Sequence, residues 1–187
     1  MQGREILIGV TGGIAAYKTA ALVSQLVQAG AGVSVIMTAS AEQFIGAATF
    51  QALTGRDVLR QVFDGAKHPL GAHIEVAGKG EVLCVAPATA NFMARAACGM
   101  ADDLLSTLYL SFTGPVLLAP AMNSEMWDKP SVGRNVAQLR RDGVHFVGPE
   151  EGWLSCRKVG AGRMASPEHI RAAIDRILNA KYAPRIV

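Results

Sequence analysis

Four short apolar segments, each followed by glycine, proline or small polar residues, constrain the fold of this chain more than any other feature. They cover residues 5–10, 33–37, 82–86 and 116–119, and helical patterns separate them. A strand that is buried on both faces of a parallel sheet has such an unbroken apolar sequence. Strands that alternate with helices across short links predict an α/β fold with helices on both faces of the sheet.

Local signals for helix ends agree with this arrangement. Residues 14–29 carry apolar side chains at helical spacing and are followed by glycine. Ser40 and Gln43 form a pattern typical of a capping box, which predicts another helix. Ser166 and Pro167 predict the beginning of the last helix, because serine is a favoured cap and proline a favoured first residue.

The length of 187 residues fits one domain with a sizeable core. No internal repeat, low-complexity tract or linker divides the chain. We therefore expect a single-domain, three-layer αβα fold of Rossmann-like or flavodoxin-like kind, with a mostly parallel sheet, over residues 1–180. A tail is expected at residues 181–187.

Composition and charge exclude several function classes. Half of the residues are hydrophobic, yet no apolar run approaches the ~20 residues of a membrane span. The first residues lack the basic stretch and apolar core of a secretion signal. The net charge of +3 is spread along the chain, whereas nucleic-acid binding requires a continuous basic face. We expect a cytoplasmic protein that binds neither membrane nor nucleic acid.

The three cysteines have different surroundings, and none of their spacings is typical of metal ligands, so no metal site is expected. Cys84 lies inside an apolar strand, where cysteine behaves as a small hydrophobic residue. Cys98 is predicted to pack on a helix. Cys156 is followed by Arg157 and Lys158, which favour its thiolate if they face it.

The turn after the first strand predicts a phosphate site. Gly12 and Gly13 allow close approach of a ligand, and the amides at the beginning of the next helix attract phosphate. The G-x-G-x-x-G pattern of dinucleotide sites is absent. The second strand ends at Thr38 and Ser40 without the acidic residue that would hold an adenosine ribose. A mononucleotide such as FMN is therefore favoured over NAD.

Polar residues follow all four strands, at Thr11, Thr38, Thr89 and Asn123. Thr89 on its own is explained by helix capping, but ligands of α/β sheets bind beyond the carboxyl ends of the strands, where all four residues meet. Asn123 can donate and accept hydrogen bonds there. His73 on its own is more often a surface residue, although an imidazole near this edge can act as a base.

Five pieces of the sequence together resemble the flavin-containing cysteine decarboxylases. They span most of the chain in the order found in that family. The pieces are residues 73–76 (HIEV), 86–91 (APATAN), 99–105 (GMADDLL), 120–127 (PAMNSEMW) and 155–164, where SC is followed by GAGRM.

The resemblance implies roles for individual residues. His73 matches the base that assists an oxidation, and Cys156 matches the cysteine that protonates the product. Asn123 matches the residue that holds the substrate carboxylate, and further substrate contacts are expected at Met126, Trp153 and Arg163. FMN is expected to contact Gly12, Gly13, Ile14, Thr38, Ser40, Phe44, Thr89, Ala90, Asn91, Phe92, Ser106, Ala121 and Met122.

The implied reaction is the FMN-dependent decarboxylation of 4'-phosphopantothenoylcysteine to 4'-phosphopantetheine in coenzyme A biosynthesis. Oxidation gives a thioaldehyde, loss of CO2 gives an enethiol, and the enethiol is then reduced. The protein supplies orientation, charge and proton donors. Relatives that decarboxylate peptidyl cysteine in lantibiotic precursors release the enethiol and need no reducing cysteine. Flavin-binding phosphatase regulators need neither His73 nor Cys156, and flavin prenyltransferases share the architecture but not residues 120–123.

The resemblance also implies partners. Relatives assemble as trimers or as four trimers with flavin between subunits, so a homo-oligomer is expected. A phosphopantothenate–cysteine ligase is expected as a partner outside this chain. Relatives have Gly and Asp after the cysteine, where this chain has Arg157 and Lys158. Because that loop covers the substrate in relatives, we expect the two basic side chains to meet the substrate phosphate or carboxylate.

Overall fold

The computed structural model describes residues 1–61 and 72–180, so the predicted tail at 181–187 lies outside the described residues. Five parallel strands form one sheet in the order β2-β1-β3-β4-β5. They are β1 (Glu5–Val10), β2 (Gly32–Met37), β3 (Val82–Ala88), β4 (Val116–Pro120) and β5 (His145–Phe146).

Eight α-helices are present in the described residues. They are α1 (Ala16–Gln28), α2 (Ala47–Thr54), α3 (Ala72–Ala77), α4 (Ala90–Cys98), α5 (Leu104–Ser111), α6 (Ser124–Trp127), α7 (Pro130–Arg141) and α8 (Pro167–Ala180). No helix within residues 1–61 and 72–180 has the length and apolar character that a membrane span requires.

The helices cover both faces of the sheet because successive strand residues point to opposite sides. On β1, Ile6 and Ile8 pack in one core with α1, α2 and α8. Leu7, between them, packs in a second core with α4, α5 and α7. The predicted three-layer αβα fold with a parallel sheet is therefore confirmed.

A two-stranded antiparallel hairpin follows the sheet and was not predicted. It consists of β6 (Glu150–Trp153) and β7 (Val159–Arg163). The four residues of β6, Glu-Glu-Gly-Trp, have neither apolar alternation nor a run of β-branched residues, so local patterns give no strand signal. Contacts with the turn after β4, described below, support this hairpin.

The predicted helix caps have different outcomes. Ser166 accepts a hydrogen bond from the His169 amide at 3.2 Å, as expected at the beginning of α8. The capping box predicted at Ser40 is wrong: a short 3-10 helix (Ala41–Gln43) follows, and Ser40 makes no cap hydrogen bond. Thr38 takes this role, because its hydroxyl accepts the Ala41 amide at 3.3 Å.

The cysteines divide into one buried and two exposed thiols. Cys84 is fully buried in β3, as predicted. Cys98 was expected to pack on its helix, but it is exposed at the end of α4. The helix turns its other face, with Met93 and Ala96, toward the core. Burial raises the pKa of the Cys84 thiol to about 12, because the thiolate would lose its solvation.

Alkylation of the native protein by iodoacetamide at mildly alkaline pH should modify Cys98 and Cys156 and spare Cys84. The thiolate is the reactive form, and Cys84 has neither exposure nor accessible thiolate. Peptide mass spectrometry before and after denaturation measures the difference. Rapid native labelling of Cys84 would contradict the burial of β3.

Candidate active site

A cavity of about 830 Å³ opens at the carboxyl ends of β1, β2, β3 and β4, beside the hairpin. The strand ends contribute most of its wall, and the hairpin closes one side. Its lining includes Thr11, Gly12, Gly13, Ile14, Thr38, Ser40, Thr89, Ala90, Asn91, Phe92, Ala121, Met122, Asn123, Met126, Trp153, Leu154, Ser155, Gly162 and Arg163. The predicted convergence of four strand ends is thus found in the structure.

The turn after β1 presents backbone donors to this cavity. Within the described part of the chain, the amides of Gly13 and Ile14 donate to no protein acceptor. A Cβ at Gly12 would lie 2.9 Å from the carbonyl carbon of Ser40 and 3.0 Å from its oxygen, so only glycine allows the two turns to meet. The free amides of Gly13 and Ile14, just before helix α1 and near the Ser40 hydroxyl, form a site that suits phosphate.

Thr11 joins the ends of β1 and β3. Its hydroxyl donates to the Pro87 carbonyl at 2.6 Å and accepts the Thr89 amide at 3.1 Å. Thr89 in turn accepts the Phe92 amide at 3.3 Å and caps α4. Because Thr11 is buried and satisfied, its role is to fix two walls of the cavity rather than to contact a ligand.

Asn123 has its amide oriented by the helix that follows it. Its side-chain oxygen accepts the Met126 amide at 2.8 Å and caps α6. Only the oxygen of an amide can accept this bond, so the NH2 group is the end left free. Asn123 therefore presents a hydrogen-bond donor to the cavity, which suits an anionic acceptor such as a carboxylate.

The hairpin packs closely against the turn that carries Asn123. The Met122 amide donates to the Gly162 carbonyl at 3.0 Å. A Cβ at Gly162 would run into the Met122 carbonyl oxygen, and a Cβ at Gly160 would lie 3.2 Å from that of Ser124. The glycines of β7 thus allow two backbones to touch, which brings the hairpin over the cavity.

Cys156 lies at the exposed tip of this hairpin, while the preceding Leu154 and Ser155 line the cavity. The neighbouring Lys158 forms an ion pair with Glu125 on α6. This pairing lowers the pKa of Glu125 and raises that of Lys158. Lys158 was expected to meet a substrate anion, but its partner in this structure is Glu125.

Most of the predicted site residues come together, and four do not line the cavity: His73, Cys156, Phe44 and Ser106. Phe44 is exposed on the protein surface. Ser106 is fully buried, and its hydroxyl donates to Asp103 in a capping box at the start of α5. His73 lies on α3, where its buried Nδ1 has no partner among the described residues.

Several cavity residues were missed, of which the charged ones matter most. Lys18 lies in the first turn of α1, and a basic residue just after the glycine turn is the signal that could have found it. Arg95 also lines the cavity, where it pairs with Asp102 at 3.1 Å and Asp103 at 2.8 Å. Nothing local in the sequence pairs Arg95 with these two residues.

Comparison with known proteins identifies the family. Residues 1–179 match the flavoprotein family profile. The chain belongs to the flavoprotein family. The coenzyme A biosynthesis bifunctional protein CoaBC of Bacillus subtilis (strain 168) is 48% identical over 170 residues, which are 91% of this chain and 42% of that protein. The chain thus spans less than half the length of the curated relatives it matches.

Solved flavoprotein structures share the whole fold. The FMN-dependent cysteine decarboxylase SpaF superposes with a TM-score of 0.83 at 34% identity and covers 97% of this chain and 98% of that chain. A cysteine-to-serine mutant of PPC decarboxylase, complexed with pantothenoylaminoethenethiol, superposes with a TM-score of 0.83 at 25% identity. The match covers 95% of this chain and 100% of that chain. The predicted resemblance to flavin-containing cysteine decarboxylases is confirmed.

The cavity has backbone donors and apolar surface that fit the nucleotide cofactor of a flavoprotein. The free amides at Gly13 and Ile14 and the Ser40 hydroxyl suit its phosphate, while Ala90, Phe92 and Ala121 supply small and apolar surface for a ring. Ligand sites of this kind are mostly apolar, with a few polar groups that fix orientation.

Replacing Gly12 with alanine should weaken flavin binding by about 10- to 100-fold, the effect of an overpacked contact. The added methyl group would push the Ser40 turn away from the glycine turn. Absorbance of flavin retained after dialysis measures the effect. Gly133→Ala on α7 is the control, because a Cβ there meets nothing within 4 Å. Equal flavin content in the two variants would contradict the assigned phosphate site.

Proposed function

We propose that this chain is an FMN-dependent decarboxylase that converts 4'-phosphopantothenoylcysteine to 4'-phosphopantetheine in coenzyme A biosynthesis. The observation that carries the proposal is the donor end of Asn123, which is oriented by its cap on α6 and lines the same cavity as the glycine turn and the hairpin. The names of the CoaBC relatives and of the PPC decarboxylase structure support the same substrate.

The flavin supplies the redox chemistry when bound, as an acceptor and later a donor of two electrons. The amides of Gly13 and Ile14 and the hydroxyl of Ser40 hold its phosphate. Thr11 keeps the β1 and β3 ends at a fixed separation, which holds the glycine turn in place relative to the turn at Thr89.

Asn123 donates from its NH2 group to the substrate carboxylate. This contact fixes the bond that breaks relative to the oxidised carbon–sulfur group, and orientation of this kind lowers the barrier to CO2 loss. Trp153 and Met126 are large, exposed apolar side chains at the cavity wall, and they offer apolar contact to the substrate in the same region.

Cys156 donates a proton to the enethiol at the end of the reaction. Cys156 itself does not line the cavity, but it directly follows Leu154 and Ser155, which do, and an exposed Lys158–Glu125 ion pair links the same hairpin tip to α6. The solved PPC decarboxylase mutant, in which serine replaces one cysteine, is complexed with pantothenoylaminoethenethiol. An ethenethiol bound to this cysteine-to-serine mutant supports the proposed role of Cys156 as the proton donor.

His73 acts as the base of the oxidation, in the cavity of a neighbouring subunit. It does not line the cavity of its own chain. Exposed apolar side chains lie on both surfaces that would meet between subunits. Ile74 on α3 and Leu110 on α5 lie on the surface near His73, and Ile14 and Tyr17 lie at the cavity rim.

A homo-oligomer, a trimer or a tetramer of trimers, would bury these side chains. Light scattering measures its mass, and an active monomer would contradict it.

Decarboxylation of peptidyl cysteine is the second candidate, because the peptidyl-cysteine decarboxylase EpiD shares the fold, with a TM-score of 0.77 at 26% identity over 92% of this chain and 98% of that chain. Purified protein should show a flavin spectrum and release CO2 and 4'-phosphopantetheine from 4'-phosphopantothenoylcysteine. A peptide that ends in cysteine is the competing substrate. Faster turnover of the peptide would favour the second candidate, and a colourless protein that takes up no FMN would contradict both.

A further inference from the structure

Glu150 lies at the base of the hairpin that carries Cys156, and its carboxylate contacts three separate groups of the chain. Glu150 and Arg163 are register partners on the two strands. Oε2 of Glu150 accepts a hydrogen bond from Nη2 of Arg163 at 3.0 Å. Oε1 accepts the Ser166 amide at 3.3 Å and lies 2.7 Å from Nδ1 of His169. One side chain therefore joins both strands of the hairpin to the beginning of α8.

The Glu150 carboxylate is charged and less exposed than the ion pair at the hairpin tip. Its hydrogen bond with His169 is the largest effect that lowers the pKa of Glu150, so the carboxylate stays ionised at neutral pH. The Glu150 side chain is 23% exposed, whereas those of Lys158 and Glu125 at the tip are 63% and 53% exposed. Because water weakens exposed ion pairs, Glu150 holds the hairpin more firmly than the pair at the tip.

The contact between the hairpin and the turn that carries Asn123 leaves the direction of the hairpin to its base. Gly160 and Gly162 face this turn without side chains. Among the described residues, the backbone hydrogen bond between them is the one from the Met122 amide to the Gly162 carbonyl. A single hydrogen bond permits rotation about its own axis, so a second contact is required to fix the direction of the tip. Glu150 supplies that contact.

The length of the hairpin makes the position of its tip sensitive to its base. β6 has four residues, which span about 13 Å at ~3.3 Å per residue, and Cys156 lies three residues beyond its end. Over that length, a rotation of about 5° at the base moves the end of the strand by about 1 Å. A displacement of about 1 Å at a reacting group can lower a rate by about 100-fold.

We propose that Glu150 is a positioning residue, which fixes the direction of the hairpin and so brings Cys156 to the enethiol. The proposal rests on the proton-donor role proposed above for Cys156 and adds the contact that places this donor. Glu150 does not line the cavity, so its effect passes through the hairpin. Oxidation and loss of CO2 do not use Cys156, and they should not depend on this contact.

A single turnover with enzyme in excess over 4'-phosphopantothenoylcysteine tests the proposal. In Glu150→Gln, formation of 4'-phosphopantetheine should slow by about 10- to 100-fold, while CO2 release stays close to the wild-type rate. Mass spectrometry of quenched samples should show the enethiol between the two events. Glu151→Gln is the matched control, because Glu151 is the adjacent carboxylate and is exposed on the same strand.

A merely structural role of Glu150 would slow both steps alike. Equal slowing of CO2 release and of 4'-phosphopantetheine formation would therefore overturn the proposal, as would wild-type rates for both. If Glu150→Gln fails to fold, His169→Ala removes one partner of Glu150 from an exposed position on α8. This variant should show the same selective slowing to a smaller extent. In a Glu150→Gln background, His169→Ala should add nothing, and additive losses would contradict action through Glu150.

Hydrogen exchange of the holoenzyme without substrate separates this proposal from the proposed function. Glu150→Gln should speed exchange of the hairpin amides by about 10-fold, including the Leu154 amide that donates to the Lys158 carbonyl, and leave β1–β4 unchanged. Unchanged exchange in the hairpin would overturn the proposal. This readout needs no turnover, so faster exchange in a protein that releases no CO2 would contradict the proposed function and still support the contact made by Glu150.

Discussion

Replacing Asn123 with aspartate is expected to lower kcat/KM for 4'-phosphopantothenoylcysteine by about 100- to 1,000-fold, the effect of losing a hydrogen bond to a charge and adding a like charge. An aspartate oxygen can still accept the Met126 amide, so α6 keeps its cap. The NH2 donor is replaced by an anionic oxygen that faces the substrate carboxylate. Steady-state kinetics on flavin-loaded protein measure the loss.

Asn123→Ala provides the comparison that separates capping from recognition. It removes both the cap and the donor, so stability should also fall by about 1 kcal/mol, a typical cost of losing a cap. Thermal unfolding should show a lower Tm for alanine than for aspartate, although both variants lose activity. An aspartate variant with wild-type kinetics would contradict the assigned role of the free amide end.

The serine variant of Cys156 is expected to release the enethiol in place of 4'-phosphopantetheine. A serine hydroxyl is a much weaker acid than a thiol, and loss of a positioned proton donor slows proton transfer by about 100- to 10,000-fold. Oxidation and CO2 loss do not use Cys156, so they should continue. Mass spectrometry distinguishes the products, because the enethiol is lighter by two hydrogens.

Cys98→Ser is the matched control for this experiment. Cys98 is also an exposed thiol outside the cavity lining, but it lies at the end of α4, whereas Cys156 directly follows Leu154 and Ser155, which line the cavity. Its variant should form 4'-phosphopantetheine at the wild-type rate. If Cys156→Ser forms the saturated product equally fast, another group protonates the enethiol and the role given to the hairpin tip is wrong.

Local patterns in the sequence were sufficient to predict the parallel sheet and the edge of the sheet at which a ligand would bind. The unbroken apolar run of β1 indicates burial on both faces, and Ile6 and Leu7 indeed enter opposite cores. Parallel strands place their carboxyl ends at one edge, so Thr38, Thr89 and Asn123 were predicted to meet without knowledge of the strand order. That prediction depends on geometry common to all α/β sheets.

Other predictions failed because distant residues compete with local signals. Ser40 has the sequence of a cap, but the turn packs against Gly12 and Thr38 accepts the free amide instead. Ser106 was predicted to reach the cofactor, yet its hydroxyl is used by Asp103. A side chain has only a few hydrogen-bonding positions, and tertiary structure decides which neighbour occupies them.

The sequence by itself determined the fold class, the cavity edge and the flavoprotein family, since these depend on periodicity and on short motifs read along the chain. Only the tertiary structure showed the hairpin, the donor end of Asn123 and the contacts of Glu150 with Arg163 and His169. The physical reason is that these features arise between segments far apart in the chain. Their energies depend on distances and orientations that exist only after the sheet has formed.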